Sequence, residues 1–130
     1  MSSHKYLVGY VHQWLNAVCS HDLRLVMDRY ANHNAILIGT IAKKILIGKP
    51  QISSYFVDFL QKPDLCGEIN TSYVQVVSST SFIVSGVYTF AYREKSKRVI
   101  VPARYSFVFV LEHGKWKILN HHSSKIPKGD

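Results

Sequence analysis

Acidic residues are scarce in this chain: eight Asp and Glu stand against sixteen Lys and Arg, for a net charge of +8 over 130 residues. Most of the acids fall where helix caps and turns are expected, so no carboxylate pair is placed for acid–base work. Cysteine is nearly absent. Cys19 and Cys66 are too few for a disulfide framework, and Cys19 lies among helix formers, where it reads as a small core hydrophobe. The start, Met1 to Lys5, is polar and carries no export signal. With no export signal, a reducing cytoplasm is expected, in which the glycosylation-like Asn70-Thr71-Ser72 carries no meaning. No apolar run approaches the ~20 residues that cross a bilayer, so no membrane partner is expected. Also missing are a phosphate loop, G-x-S-x-G, H-E-x-x-H, C-x-x-C and a dinucleotide fingerprint, so neither a cofactor nor a metal is expected.

What is present is an ordinary globular balance, 47% hydrophobic and 18% charged, enough for one core and one domain spanning 1–130. The bases are dispersed: Lys43 and Lys44, then Arg93, Lys95, Lys97 and Arg98, then Lys115 and Lys117, then Lys125 and Lys128. They fall mainly in expected loops and lack interleaved aromatics for base stacking, so nucleic acid is not an expected partner.

Leu7, Tyr10, Val11, Trp14, Leu15 and Val18 lie on one face of a helix of about five turns. Ser20-His21-Asp22 breaks it with capping residues. Leu23, Val26, Met27 and Tyr30 then predict a short second helix. Short strands are expected at Ala35–Thr40 and Ile45–Ile47. Pro50 can open a third helix carrying Ile52, Tyr55, Phe56, Phe59 and Leu60, which Pro63 ends. Beyond Pro63 the period changes to two, and 68–78, 81–92, 99–111 and 115–123 read as strands. Glu112-His113-Gly114 is a tight hairpin signal. Helices followed by antiparallel strands make an α+β domain with the helices on one sheet face.

Tyr105, Phe107, Phe109 and Leu111 share one face of their strand, and Arg104, Ser106, Val108 and Val110 the other. Neither is strongly polar, so both need a cover: helices on one side, a second subunit on the other. The outward set is expected to include Trp116 and Ile118. His121-His122 lies on a strand, where neighbours point oppositely and cannot share one metal. One of the two is expected to face a pocket beneath the helices. Trp14 and Tyr30 are core residues whose polar tips could line that pocket.

Trp14-Leu15 with Ser20-His21-Asp22 resembles a helix junction of the nuclear transport factor 2-like superfamily. Ile52, Tyr55-Phe56 and Phe59-Leu60 fit that superfamily's third helix. The segments Ala103 to Val108, Gly114 to Ile118 and Asn120 to Ser124, with Pro127 and Gly86 to Phe90, are similar to a bacterial branch related to the calcium/calmodulin-dependent protein kinase II association domain. The resemblance implies a cone-shaped barrel: three N-terminal helices packed on a strongly curved, mixed, mostly antiparallel sheet around a pocket. It also implies dimers through the sheet, sometimes larger rings. It departs from the superfamily's isomerases, with Gly39 in place of their aspartate base and Trp14 in place of their tyrosine. Two pocket arginines of the kinase domain are matched by Phe107 and Ser123.

The expected pocket is aromatic, drawn from Tyr10, Trp14, Tyr30, Phe56, Tyr105 and Phe107, with His121 and Ser123 as polar groups. The expected interface holds Arg104, Val108, Trp116 and His122. The implied function is a module that binds a small apolar or aromatic molecule or oligomerises, with no chemistry of its own. The alternatives are a cyclase- or isomerase-type enzyme with His121 as general base, and a binder of an anionic partner through the basic turns. Glu112 and Asp130 lie beyond the strand ends, and Asp28 and Asp58 oppose the apolar helix stripes. A hydroxyl, a backbone group or water is therefore the expected partner of His121.

Overall fold

The computed structural model of the chain describes residues 4–128; Met1–Ser3, part of the stretch read for an export signal, and Gly129–Asp130 lie outside the described residues. The first predicted helix forms as a 3₁₀ turn, Lys5–Val8, running into α1, Gly9–Cys19. Asp22 caps α2, Leu23–Met27, its carboxylate accepting from the Arg24 and Leu25 amides. Such a cap satisfies donors that the first turn leaves open. Strands β1, Ile36–Ile38, and β2, Leu46–Ile47, precede α3, Lys49–Phe59. Gly48, at φ 85°, turns the chain into α3, and Pro50 occupies its first turn.

Four long strands follow: β3, Cys66–Ser78; β4, Ser81–Glu94; β5, Lys97–Glu112; β6, Lys115–Lys125. The sheet order is β2-β1-β6-β5-β4-β3, with β1 parallel to β6 and the other pairs antiparallel. The fold is thus α+β with a mixed sheet, as expected, but the sheet stays open and does not close into a barrel. Its inner face carries the core: Phe82, Val84, Tyr88 and Phe90 of β4 meet Tyr105, Phe107 and Phe109 of β5 and the buried stripe of α1.

Two expectations need correction. Cys19 and Cys66 are joined in a disulfide that ties the end of α1 to the start of β3. Cys19 is thus not the lone core hydrophobe expected, and the bond stands against a reducing compartment, where disulfides are rare. Trp116 and Ile118 do not face outward either. In β6, Phe109 pairs with Ile118 while Val108 pairs with Asn120, which leaves Leu119 as an extra, bulged residue. A one-residue bulge reverses the faces of the residues beyond it. Ile118 is fully buried, and Trp116 packs 4.8 Å from Phe82 on the inner face.

Candidate functional site

The inner face narrows to a cavity beneath the helices. Trp14 of α1, Tyr55, Phe56 and Phe59 of α3, and Tyr88 and Phe90 of β4 form most of its wall. His121, Ser123 and Thr40 line it too, with the tyrosines Tyr55, Tyr88 and Tyr92 and with Lys62, whose ammonium lies 4.3 Å above the Tyr92 ring. The free volume is about 40 Å³. At roughly 10–15 Å³ of such volume per water, that is room for a few water molecules. Pockets for drug-sized ligands are typically ~300 Å³ or more. This cavity therefore suits a very small guest, or a larger one that displaces aromatic rings.

His121 is 2% exposed and lies at the centre of a hydrogen-bonded chain. The Trp14 indole N–H donates to Tyr30 Oη at 3.1 Å. Tyr30 Oη is 2.9 Å from His121 Nδ1, and His121 Nε2 is 3.0 Å from Tyr88 Oη. The imidazole stacks on Phe107, ring centres 4.0 Å apart, and meets the edge of Trp14. Burial, with a smaller contribution from His122, pushes its pKa down to about 3. Burial likewise raises both tyrosine hydroxyls well above their ordinary range. At neutral pH the whole chain is uncharged.

The structure brings together Trp14, Phe56, His121 and Ser123 at the cavity, as the sequence suggested. Tyr30, Tyr105 and Phe107 are buried behind its wall. Tyr10 lies elsewhere: it packs against Phe82, Phe109 and Trp116 at the other end of the sheet. Its helical spacing was right, but the residue sits one turn before Trp14 along α1. The sequence argument missed Tyr88, Tyr55 and Thr40. Tyr88 was legible in principle, since it alternates with Phe82, Val84 and Phe90 on β4. Gly39, where the isomerases carry their base, has a structural explanation. A Cβ there would lie 2.9 Å from the Tyr55 ring.

Among the described residues, no helix lies over the outer sheet face. Along β5, Ala103, Tyr105, Phe107 and Phe109 are buried while Arg104 is exposed and Ser106, Val108 and Val110 are half-buried. Register places Tyr73, Ser85, Ser106 and His122 in one row across four strands, and Gln75, Ile83, Val108 and Asn120 in the next. Ser85 and Ser106 bond to each other at 2.8 Å. Arg104 and His122 are exposed on this face, and Arg104 has no ion-pair partner among the described residues.

Residues 4–127 match the family model of the calcium/calmodulin dependent protein kinase II association domain. A Xanthomonas campestris structure named for the same association domain is 35% identical, with TM-score 0.88 over 95% of this chain and 87% of that one. The association domain of C. elegans CaMKII shares the fold at 13% identity, TM-score 0.77, covering 93% of this chain and 94% of its own. A nuclear transport factor 2-like superfamily protein of Salmonella enterica does so at 14% identity, TM-score 0.82, covering 96% and 92%. No curated protein matches the sequence. On its sequence and its fold, the chain belongs to the calcium/calmodulin dependent protein kinase II association domain family.

Proposed function

We propose that the chain is a self-associating module that pairs with a second copy through its outer sheet face and holds a small apolar molecule in its cavity without transforming it. The observation that carries the assembly is the uncovered face of β4, β5 and β6. Its central residues are Val108, Val110, Ile83 and a serine pair, with few charges. A sheet with no cover on one side is a face that a symmetric partner can bury. Membership of an association domain family supports the same conclusion. Arg104, Val108 and His122 are the interface residues in this reading. The ligand site is the cavity walled by Trp14, Phe56 and Tyr88, with His121 and Ser123 at its polar end.

An enzymatic role for His121 is less well supported. A general base works best with a pKa near the operating pH. Burial holds His121 near 3, and both of its nitrogens are taken by tyrosines rather than by a carboxylate. The basic turns are dispersed over three hairpins and the C-terminal strand, which disfavours a single anionic partner. Light scattering at micromolar concentration tests the assembly. The expected mass is at least twice the 14.8 kDa chain; a mass of one chain refutes self-association. Native mass spectrometry of the purified protein tests the cavity, and a small molecule released on denaturation is the expected result.

A further inference from the structure

His21 makes two hydrogen bonds that a neutral imidazole cannot make together. Its Nδ1 lies 2.8 Å from the Leu60 carbonyl oxygen and its Nε2 lies 2.9 Å from the Leu65 carbonyl oxygen. A carbonyl oxygen only accepts, so each nitrogen must donate, and only the protonated ring carries a hydrogen on both. A neutral ring would turn a bare nitrogen, lone pair first, toward one of the two oxygens.

The fold favours a cation at this point. His21 follows Ser20, the C-cap of α1, and its amide donates to the Val18 carbonyl. Leu60 is the C-cap of α3. The ring thus stands at the carbonyl ends of two 11-residue helices, where unpaired carbonyls gather and the helix dipoles favour positive charge. The His21 backbone lies at φ 61°, the left-handed conformation that glycine usually supplies after a helix. A β-carbon is disfavoured there, and the two ring bonds are what a glycine could not offer.

We propose that His21 is a pH-operated clamp: with both ring nitrogens protonated it ties the end of α3 to the start of β3, and on losing one proton it lets one of the two carbonyls go. The residue is exposed, so its ring exchanges protons with water, and histidine is the side chain that changes charge between about pH 5 and 8. The charged groups on the elements around it are Asp22 and Arg24 at the start of α2, Asp58 of α3, Lys62 and Asp64 of the following loop, Glu68 of β3, and Arg93 and Glu94 of β4. Asp22 is engaged by the α2 amides, Asp64 by Arg93, and Lys62 by the Tyr92 ring. Among the described residues, none of these groups forms an ion pair with the His21 ring. The clamped segment, 60–65, follows Phe59 and carries Lys62, two residues of the cavity wall, so the charge on His21 sets how firmly that wall is held. The disulfide at Cys66 anchors the far end of the segment in either state. The clamp stands whether or not the cavity takes a ligand.

NMR on the isotope-labelled full chain tests this by following the His21 ring and the Leu60 and Leu65 carbonyl carbons from about pH 5.5 to about pH 8.5, above the ordinary carboxylate range. Both carbonyl signals should move with the midpoint of the ring itself. Both should stop titrating in His21→Asn and in His21→Gly, replacements that accept the left-handed backbone. The Lys62 and Leu65 amides are hydrogen-bonded within the segment. With intrinsic exchange divided out, their protection should be about 2- to 12-fold lower at the alkaline end, the effect of one net hydrogen bond. In both variants that pH dependence should vanish. The clamp is refuted if the ring titrates while either carbonyl signal stays still, or if the ring keeps one protonation state throughout. Equal protection of the two amides at both ends of the range refutes it as well.

Discussion

At pH 7 the His121 ring carries no charge, because a second ring proton would place a cation between Phe107 and Trp14 with only tyrosine hydroxyls around it. Its folded pKa, about 3, lies far below the ordinary 6.5. Between those values the unfolded chain binds a proton that the folded chain cannot. Stability present above pH 6.5 is therefore lost progressively as pH falls toward 3. Urea midpoints measured from pH 7 to pH 4 should decline, and the decline should be shallower in His121→Leu. A midpoint that holds or rises toward pH 4 would show the ring to be accessible to protons. The Tyr88 hydroxyl is needed on the same grounds. Tyr88→Phe removes the hydrogen-bond partner of the buried His121 Nε2 and should cost about 1–3 kcal/mol in unfolding free energy. A loss below about 0.5 kcal/mol, the level of an ordinary surface substitution, would mean that water replaces the hydroxyl.

Among the elements, β3 and β4 leave no room for a side chain where Gly86 faces Ser72. Asn70 bulges out of β3 there, and the Tyr105 hydroxyl bonds both Ser72 Oγ and the Thr71 carbonyl. A Cβ on Gly86 would fall 2.0 Å from that carbonyl oxygen. Gly86→Ala should therefore cost at least the ~1–3 kcal/mol typical of overpacking, read as a lowered denaturation midpoint; a neutral outcome would mean that the strands separate freely. The disulfide joins the same strand to α1 across 47 residues. A Cys19→Ala, Cys66→Ala double variant should lose about 2–4 kcal/mol, and unchanged stability would place the two segments together without the bond. Much of this architecture was legible beforehand. Alternation along 105–111 assigned both faces of β5, and Ser20-His21-Asp22 located the α2 cap. His113 and Gly114, at φ 52° and 78°, form the expected hairpin. What stayed hidden depends on contacts far apart in sequence. Period-two patterning cannot show a bulge at Leu119, so Trp116 and Ile118 were put on the wrong face. Two cysteines 47 residues apart give no local sign of pairing. The aromatic identity of the cavity was legible from helix and strand periods. The hydrogen bonds from Trp14 through Tyr30 and His121 to Tyr88 were not, since they need distant elements brought together.

For the whole molecule, the central question is what covers the outer face. The helices among the described residues lie on the other side, and Val108 occupies the middle of the open one, between Ile83 and Asn120. A lysine there would extend into solvent at little cost to a lone chain but would be buried, unpaired, between two paired sheets, an arrangement that proteins avoid. Sedimentation of the wild-type protein and Val108→Lys, with circular dichroism to confirm that both are folded, tests this directly. The wild type should sediment as a dimer or a larger assembly, and Val108→Lys as a folded single chain of about 14.8 kDa. A variant that is folded and keeps the wild-type mass would contradict assembly through this face.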